Sequence, residues 1–150
     1  MSNPSKKISR TFPSRTEQLL EVREFVSEAA REFGFDDEEV ANIALAVDEA
    51  CTNIIKHAYQ YARDKEIQIT VNREHDVFEV RITDEGRPFD PAHLRTPNLQ
   101  DHLTHYRKGG LGVYLMRRLM DAVEYNIKPG SRNEVRMVKN LFRAPSNTRK

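Results

Sequence analysis

The sequence has a single cysteine, no long apolar run and almost no surplus of charge of either sign. Because Cys51 is the only cysteine, no disulfide can form within the chain. Charged residues interrupt the apolar stretches every few positions, and the N-terminal MSNPSKKISR lacks the apolar core of a signal peptide, so we expect no membrane segment. The 24 basic and 23 acidic residues leave a net charge of +1, which gives no overall field to attract nucleic acid or an anionic membrane. These absences favour a cytoplasmic protein whose partners bind at local sites.

Length and hydrophobic spacing predict one domain built from helices and a sheet. With 150 residues, 38% of them hydrophobic, the chain can bury one core, and we assign residues 1–150 to a single domain. Apolar residues at helical spacing predict three helices, over 19–33, 40–58 and 113–120. Alternating apolar residues predict five strands, marked by Ile8 and Phe12; Ile67, Ile69 and Val71; Phe78, Val80 and Ile82; Val123, Tyr125 and Ile127; and Val135, Met137 and Leu141.

Local signals predict where the first two helices begin and end. Ser14 followed by Glu17 predicts a capping box, and Gly34 predicts the end of the first helix. Asp36 and Asp37 can cap the second helix. The order of strands and helices indicates an α+β fold, a two-layer sandwich with a mixed, mostly antiparallel sheet and helices on one face.

The second predicted helix carries a possible catalytic pair. Glu49 and Asn53 are one turn apart, on the side of the helix opposite its apolar residues, so both are expected to point away from the core. An amide oxygen can complete the shell of a magnesium ion while a carboxylate accepts a proton from a nucleophile. The alternative is an ordinary solvent-exposed helix face.

The residues Asp84, Glu85 and Gly86 follow directly after a predicted strand. A carboxylate there can accept a hydrogen bond from an adenine amino group, and the glycine lets the backbone approach a flat base. A simple strand-ending turn explains the same residues.

A glycine cluster, Lys108-Gly109-Gly110-Leu111-Gly112, comes immediately before the third predicted helix. Unhindered amides and a helix N-terminus there can face phosphate oxygens, and a lysine adds positive charge. A flexible hinge is the alternative.

The order of these three motifs resembles the GHKL ATPases. ALAVDEACTNIIKHAY resembles the N-box of that class, DEGRPFDP its first glycine box and KGGLGVYLMRRLMD its second. The match is strongest to the anti-sigma-factor serine kinases of the RsbW and SpoIIAB type, which also share a strand similar to NEVRMVKNLF. The resemblance implies the Bergerat, or histidine-kinase-like ATPase, fold. It also implies binding of ATP and Mg²⁺, and phosphoryl transfer to a serine or threonine of a STAS-type antagonist.

The resemblance also assigns roles on the helix and after the strand. Glu49 would be the general base, Asn53 the magnesium ligand and Lys56 a weaker charge partner for ATP. Asp84 would contact the adenine amino group, and Gly86 would lie beside the base.

The same resemblance assigns the phosphate side and the partners. Gly110, Leu111 and Gly112 would approach the phosphates with Lys108, and residues 88–110 would form a mobile lid. A sigma factor would bind the same surface as the antagonist, and the protein would be a homodimer that contacts neither nucleic acid nor membrane directly.

The sequence departs from the family pattern in two places. Pro88 stands where many members of the class have a second glycine, a difference that bears on the shape of the adenine pocket. The lid region contains His93, His102 and His105, which lack a nearby cysteine or a third well-placed ligand and so favour an exposed loop over a zinc site.

Three other functions remain open from the sequence. One is a nucleotide-dependent regulator that binds its partner without phosphorylating it. Another is the detached ATPase half of a histidine kinase, which would need a separate acceptor protein because residues 16–33 contain no histidine. The third is an interaction protein that binds no nucleotide.

Overall fold

The computed structural model describes residues 6–88, 111–127 and 132–141, which form five strands and three α-helices. The strands are β1 (Lys6–Pro13), β2 (Glu66–Glu74), β3 (Val77–Asp84), β4 (Ala122–Ile127) and β5 (Asn133–Asn140). The helices are α1 (Leu19–Phe33), α2 (Asp37–Asn53) and α3 (Leu111–Leu119), with a 3-10 turn (Thr16–Gln18) before α1 and a π-helical turn (Ile54–Ala58) after α2.

The five strands make one sheet in the order β1-β2-β3-β5-β4. Every pairing between described strands is antiparallel, with Ile69 opposite Ile82 and Val80 opposite Met137. Because side chains alternate between the two faces of a strand, these residues share the face that packs against the helices in one buried core. The predicted α+β fold is therefore confirmed, with an antiparallel rather than mixed sheet over the described strands.

The other face of the sheet carries charged side chains in place of a second core. Glu79 is only 7% exposed because Arg81 and Arg136 flank it and both form ion pairs with it. Arg81 also pairs with Glu134 at 3.1 Å, and Arg136 pairs with Glu124 at 3.1 Å. Burial alone would raise the pKa of Glu79, but the hydrogen bonds from the two arginines lower it. This charged ladder makes this face of the sheet compatible with contact with water.

The predicted capping box at Ser14 and Glu17 is wrong. The residue before the 3-10 turn, Arg15, makes no side-chain cap, and neither does Gln18 before α1. Ser14 instead donates its hydroxyl to the carbonyl of Ala62 at 2.7 Å, and Glu17 forms an ion pair with a distant arginine. Both side chains have better partners on the connection between α2 and β2 than on their own helix.

The other predicted helix ends are found. Asp36 accepts a hydrogen bond from the backbone N–H of Glu39 at 2.8 Å, as an N-cap residue does. Gly34 ends α1 with φ of +118°, a left-handed conformation that favours glycine. The second helix is shorter than predicted, since its α-helical part ends at Asn53 and the next turn is π-helical. No helix in the described ranges is both long and apolar enough to cross a membrane.

Candidate functional site

The catalytic pair predicted on α2 lies in a seam between elements. Asn53 is 2% exposed and Glu49 is half-buried. The prediction that both side chains point away from the core is thus wrong for Asn53. The sequence placed this helix face away from the core, whereas α3 packs against α2 and the Tyr125 side chain of β4 comes close to Asn53.

Burial of the pair has electrostatic consequences. It raises the pKa of Glu49, the charge of Asp48 raises it further, and the charge of Lys56 acts in the opposite direction. A half-buried carboxylate with a raised pKa is a better proton acceptor than an exposed one at neutral pH. The predicted ATP contact Lys56 therefore lies close enough to Glu49 to act on it, on the π-helical turn that follows α2.

The carboxamide of Asn53 is buried without complete hydrogen bonding. It lies close enough to the Tyr125 hydroxyl to act on its pKa, but burial dominates and raises that pKa to about 12. The Nδ2 atom of Asn53 forms no hydrogen bond of normal geometry within the part of the chain that the structure describes. An unpaired buried amide group costs about 1–3 kcal/mol. A polar ligand that reached this amide would recover that energy.

At the end of β3, Asp84 is held rigidly below the surface. It is 3% exposed, and its Oδ1 accepts hydrogen bonds from the N–H of Gly86 at 2.8 Å and from Nδ2 of Asn133 at 2.9 Å. Burial raises the pKa of Asp84, while these two hydrogen bonds lower it in part. Asn133 also donates to the carbonyl of Gly86 at 3.0 Å, so one amide fixes both predicted site residues.

Asn133 is a site residue that the sequence analysis missed. It is 2% exposed and lies opposite Asp84 in the pairing of β3 with β5. The sequence does contain a signal for it. Asn133 falls on the same alternating positions as the inward-facing Val135 and Met137, and a polar residue at such a position marks a buried polar group at the start of the strand.

Gly86 lies directly against the end of the π-helical turn. A Cβ atom at this position would be 2.5 Å from the carbonyl oxygen of Ala58, far closer than van der Waals contact. The next residue, Arg87, donates its backbone N–H to the same oxygen at 2.9 Å. Contact with Ala58 therefore requires glycine here, and the predicted contact of Gly86 with a base stays a prediction beside it.

A cavity lies between α2 and the inner face of the sheet. Its volume is about 10 Å³, room for about one water molecule, and its lining includes Ala50, Ile54, Asp84, Asn133 and Val135. Apolar walls with a few fixed polar groups are the lining that ligand sites have, and a flat heterocycle would enter once these walls move apart. A larger cavity on the other side of the β3 terminus is lined mainly by polar side chains and has no comparable apolar wall, so we take the smaller one as the base site.

The predicted phosphate side is described only in part. A helix does follow the glycine cluster, since α3 begins at Leu111 and includes Gly112, but their side-chain surroundings lie outside the described residues. Lys108, Gly110 and the lid histidines His93, His102 and His105 also lie outside the described residues.

Comparisons with known proteins bear on the family and the fold of this chain. Residues 12–139 match the model of the histidine kinase-like ATPase domain. The chain is 34% identical to the serine-protein kinase RsbW of Bacillus subtilis, over 82% of this chain and 79% of that protein. It is 31% identical to the RsbW of Bacillus cereus (strain Q1), over 79% and 76%.

Two solved structures share the fold. One is the SiaB–SiaC complex from Pseudomonas aeruginosa, with a TM-score of 0.64 and 13% identity over 87% of this chain and 88% of that chain. The other contains the RsbU and RsbW domains of a Mycobacterium tuberculosis protein, with a TM-score of 0.59 and 16% identity over 91% of this chain and 32% of that longer chain. At these identities the likeness concerns the fold alone.

Proposed function

The chain belongs to the histidine kinase-like ATPase domain family, and from that premise we propose that it is an ATP-dependent protein serine/threonine kinase of the anti-sigma-factor type. One observation carries the proposal: the buried Asp84, fixed by Asn133, lies on the same cavity as Ala50 and Ile54 of the helix region that bears Glu49 and Asn53. The residues proposed for the base and the proposed catalytic pair thus lie on adjoining elements.

Asp84 would recognise adenine through its exocyclic amino group. The two hydrogen bonds described above both go to Oδ1, and a carboxylate has a second oxygen with which to accept from a base. The apolar walls at Ile54 and Val135 would contact the faces of the ring. At about 10 Å³ this cavity is far below the usual range of about 300–1,000 Å³ for ligand pockets, so its walls would have to separate to admit the base, and the ribose and phosphates would extend beyond it.

On the phosphate side, Asn53 fits a magnesium ion. No group of three or more histidine, cysteine, aspartate or glutamate side chains is arranged for a metal in residues 6–88, 111–127 and 132–141. Mg²⁺ commonly takes one or two protein oxygens and completes its shell with phosphates and waters, and the Oδ1 of Asn53 would be such an oxygen, while its Nδ2, which has no hydrogen bond of normal geometry among the described residues, would donate to a phosphate oxygen. When bound, the ion would neutralise charge on the phosphates.

Glu49 would act on the acceptor protein. Its carboxylate would take the proton from a serine or threonine hydroxyl as that oxygen attacks the γ-phosphorus and ADP leaves. Lys56 would offset the negative charge nearby. We retain Lys108, Gly110, Leu111 and Gly112 as phosphate contacts, and residues 88–110 as the lid of a single domain over 1–150.

The proposed partners are two proteins. The relatives named serine-protein kinase RsbW support a protein acceptor, which we propose to be a STAS-type antagonist, with a sigma factor held in the alternative complex. We further propose a cytoplasmic homodimer.

Calorimetric titration with ATP and Mg²⁺ tests the nucleotide site first. We expect the parent to bind and the variants Asn53→Ala and Asp84→Asn to bind more weakly. A parent protein that binds no ATP would refute the proposal.

Transfer from γ-labelled ATP to a purified STAS-domain protein from the same organism tests the kinase step. Glu49→Gln should bind ATP like the parent but transfer no label. A parent that binds ATP and transfers no label would instead be a nucleotide-dependent regulator without kinase activity.

A further inference from the structure

The chain leaves α2 through an irregular turn that lies beside the proposed base site. After the π-helical turn Ile54–Ala58, the N–H of Tyr59 bonds to the carbonyl of Ile54 at 2.9 Å. Gln60 and Tyr61 follow with φ of 49° and 67°, left-handed conformations that cost energy in residues other than glycine. π-Helical turns and such strained residues concentrate at functional sites.

The side chain of Tyr59 joins three segments of the chain. It is 7% exposed, and its hydroxyl donates to the carbonyl of Glu66 at 2.5 Å while accepting from the backbone N–H of Glu85 at 2.9 Å. Burial raises the pKa of Tyr59, so the hydroxyl keeps its proton and remains a donor at neutral pH. The start of β2, the segment after the π-helical turn and the turn after β3 thus meet at one oxygen atom.

Of the two hydrogen bonds of the Tyr59 hydroxyl, the one from the Glu85 N–H lies next to the residue proposed to bind the base. Glu85 lies between Asp84 and Gly86, so its N–H belongs to the peptide group attached to Asp84. The Asp84 carboxylate is fixed by Asn133 from one side, and this peptide group is fixed by Tyr59 from the other. Arg87 adds an exposed contact from the same turn, since its Nε donates to the carbonyl of His57 at 3.2 Å.

We propose that Tyr59 is a positioning residue that sets base selectivity by fixing the Asp84-Glu85-Gly86 turn against the segment that follows the π-helical turn. The inference rests on the proposed function, because it requires that Asp84 bind the adenine amino group. Removing the hydroxyl leaves the Glu85 N–H and the Glu66 carbonyl without their partner, and the turn that carries Asp84 relaxes. The groups proposed for the phosphates are on other segments, so recognition of the base is affected and recognition of the triphosphate is not.

The test compares ATP with GTP, both with Mg²⁺, by calorimetric titration of the full chain. We expect the parent to prefer ATP, and Tyr59→Phe to lose about tenfold in ATP affinity, the size of one hydrogen bond, with GTP affinity unchanged. The matched control is Tyr61→Phe, which removes a tyrosine hydroxyl two residues away, from a side chain that is 59% exposed. This variant should keep the parent's affinities for both nucleotides. Arg87→Ala tests the same turn from the surface and should weaken ATP binding selectively, even if Tyr59→Phe folds poorly.

The outcomes separate the two proposals. If the parent binds neither nucleotide, the proposed function fails and Tyr59 has no base to select. If the parent binds ATP but Tyr59→Phe and Arg87→Ala keep its ATP-to-GTP ratio, or weaken both nucleotides equally with a lower melting temperature, the positioning role alone is refuted.

Discussion

Replacing Gly86 with alanine should damage both the stability of the fold and the binding of ATP. The added Cβ would lie 2.5, 2.7 and 2.8 Å from three atoms of Ala58, two of which belong to the backbone and cannot rotate away. The turn after β3 must therefore move by roughly 1 Å to reach ordinary contact. Such a shift would stretch the hydrogen bond from Arg87 to Ala58, now 2.9 Å, and displace the neighbouring Asp84.

The size of the Gly86→Ala effect follows from these contacts. Overpacking costs about 1–3 kcal/mol, and a weakened backbone hydrogen bond adds about 1 kcal/mol. For a domain of this length, each kcal/mol lowers the melting temperature by about 2–4 °C, so we expect a fall of roughly 5–15 °C. Thermal melting with and without ATP and Mg²⁺ measures the fall in stability and the expected loss of ligand stabilisation together.

Gly34→Ala is the matched control for Gly86→Ala. Gly34 has φ of +118°, and a Cβ there would meet only the methyl groups of Leu141 at 3.5 Å and beyond. Alanine at this position should cost about 1–2 kcal/mol through its backbone and leave ATP binding unchanged, since Leu141 bonds to the hairpin at the opposite end of β3 from Asp84. If Gly86→Ala melts within about 2 °C of the parent and binds ATP normally, the reasoning from the Ala58 contact is refuted.

Three further predictions concern the charges and amides of the site. Asp84→Asn should keep the fold, because the remaining oxygen can accept from the Gly86 N–H and Asn133, but calorimetry should show weaker ATP binding where an N–H group replaces an acceptor. Since burial raises the folded-state pKa of Glu49 above its ordinary 4.5, this carboxyl favours folding in acid and loses that contribution as the pH rises through its folded pKa. Glu49→Gln should therefore raise the melting temperature more at about pH 7 than at about pH 4, and an equal change at both values would contradict the assigned burial effect. Asn133→Ala removes donors to Asp84 and Gly86, and denaturant unfolding should show a loss of about 1–3 kcal/mol with weaker ATP binding; a loss of stability without a change in affinity would separate Asn133 from the site.

Local signals in the sequence were sufficient for most of the fold. Alternation such as Ile67, Ile69 and Val71 predicted which side of each strand is buried, because the alternation of side chains in a strand requires no distant information. The helix signals at Gly34 and Asp36 held for the same reason, since a cap acts on residues within one turn.

The errors came from partners distant in the sequence. Ser14 has the residue type of a helix cap, but the carbonyl of Ala62, 48 residues away, takes its hydroxyl. Asn53 faces outward on its own helix and is buried only because other elements pack beside it. The missed Asn133 acts through Asp84, 49 residues earlier. A pattern within one element cannot show such contacts, whereas the motif order did indicate the family.

The pairing of Asp84 with Asn133 also fixes when the base site can form during synthesis. A nascent chain that has released β3 but not β5 has the aspartate without the amide that holds it, and it lacks Val135 from the cavity wall. At about 5–20 residues per second, the ribosome needs roughly 2–10 s to add the 49 residues between them. The proposed nucleotide therefore cannot assist the earliest folding of the chain, and it binds only after the sheet has closed around β5.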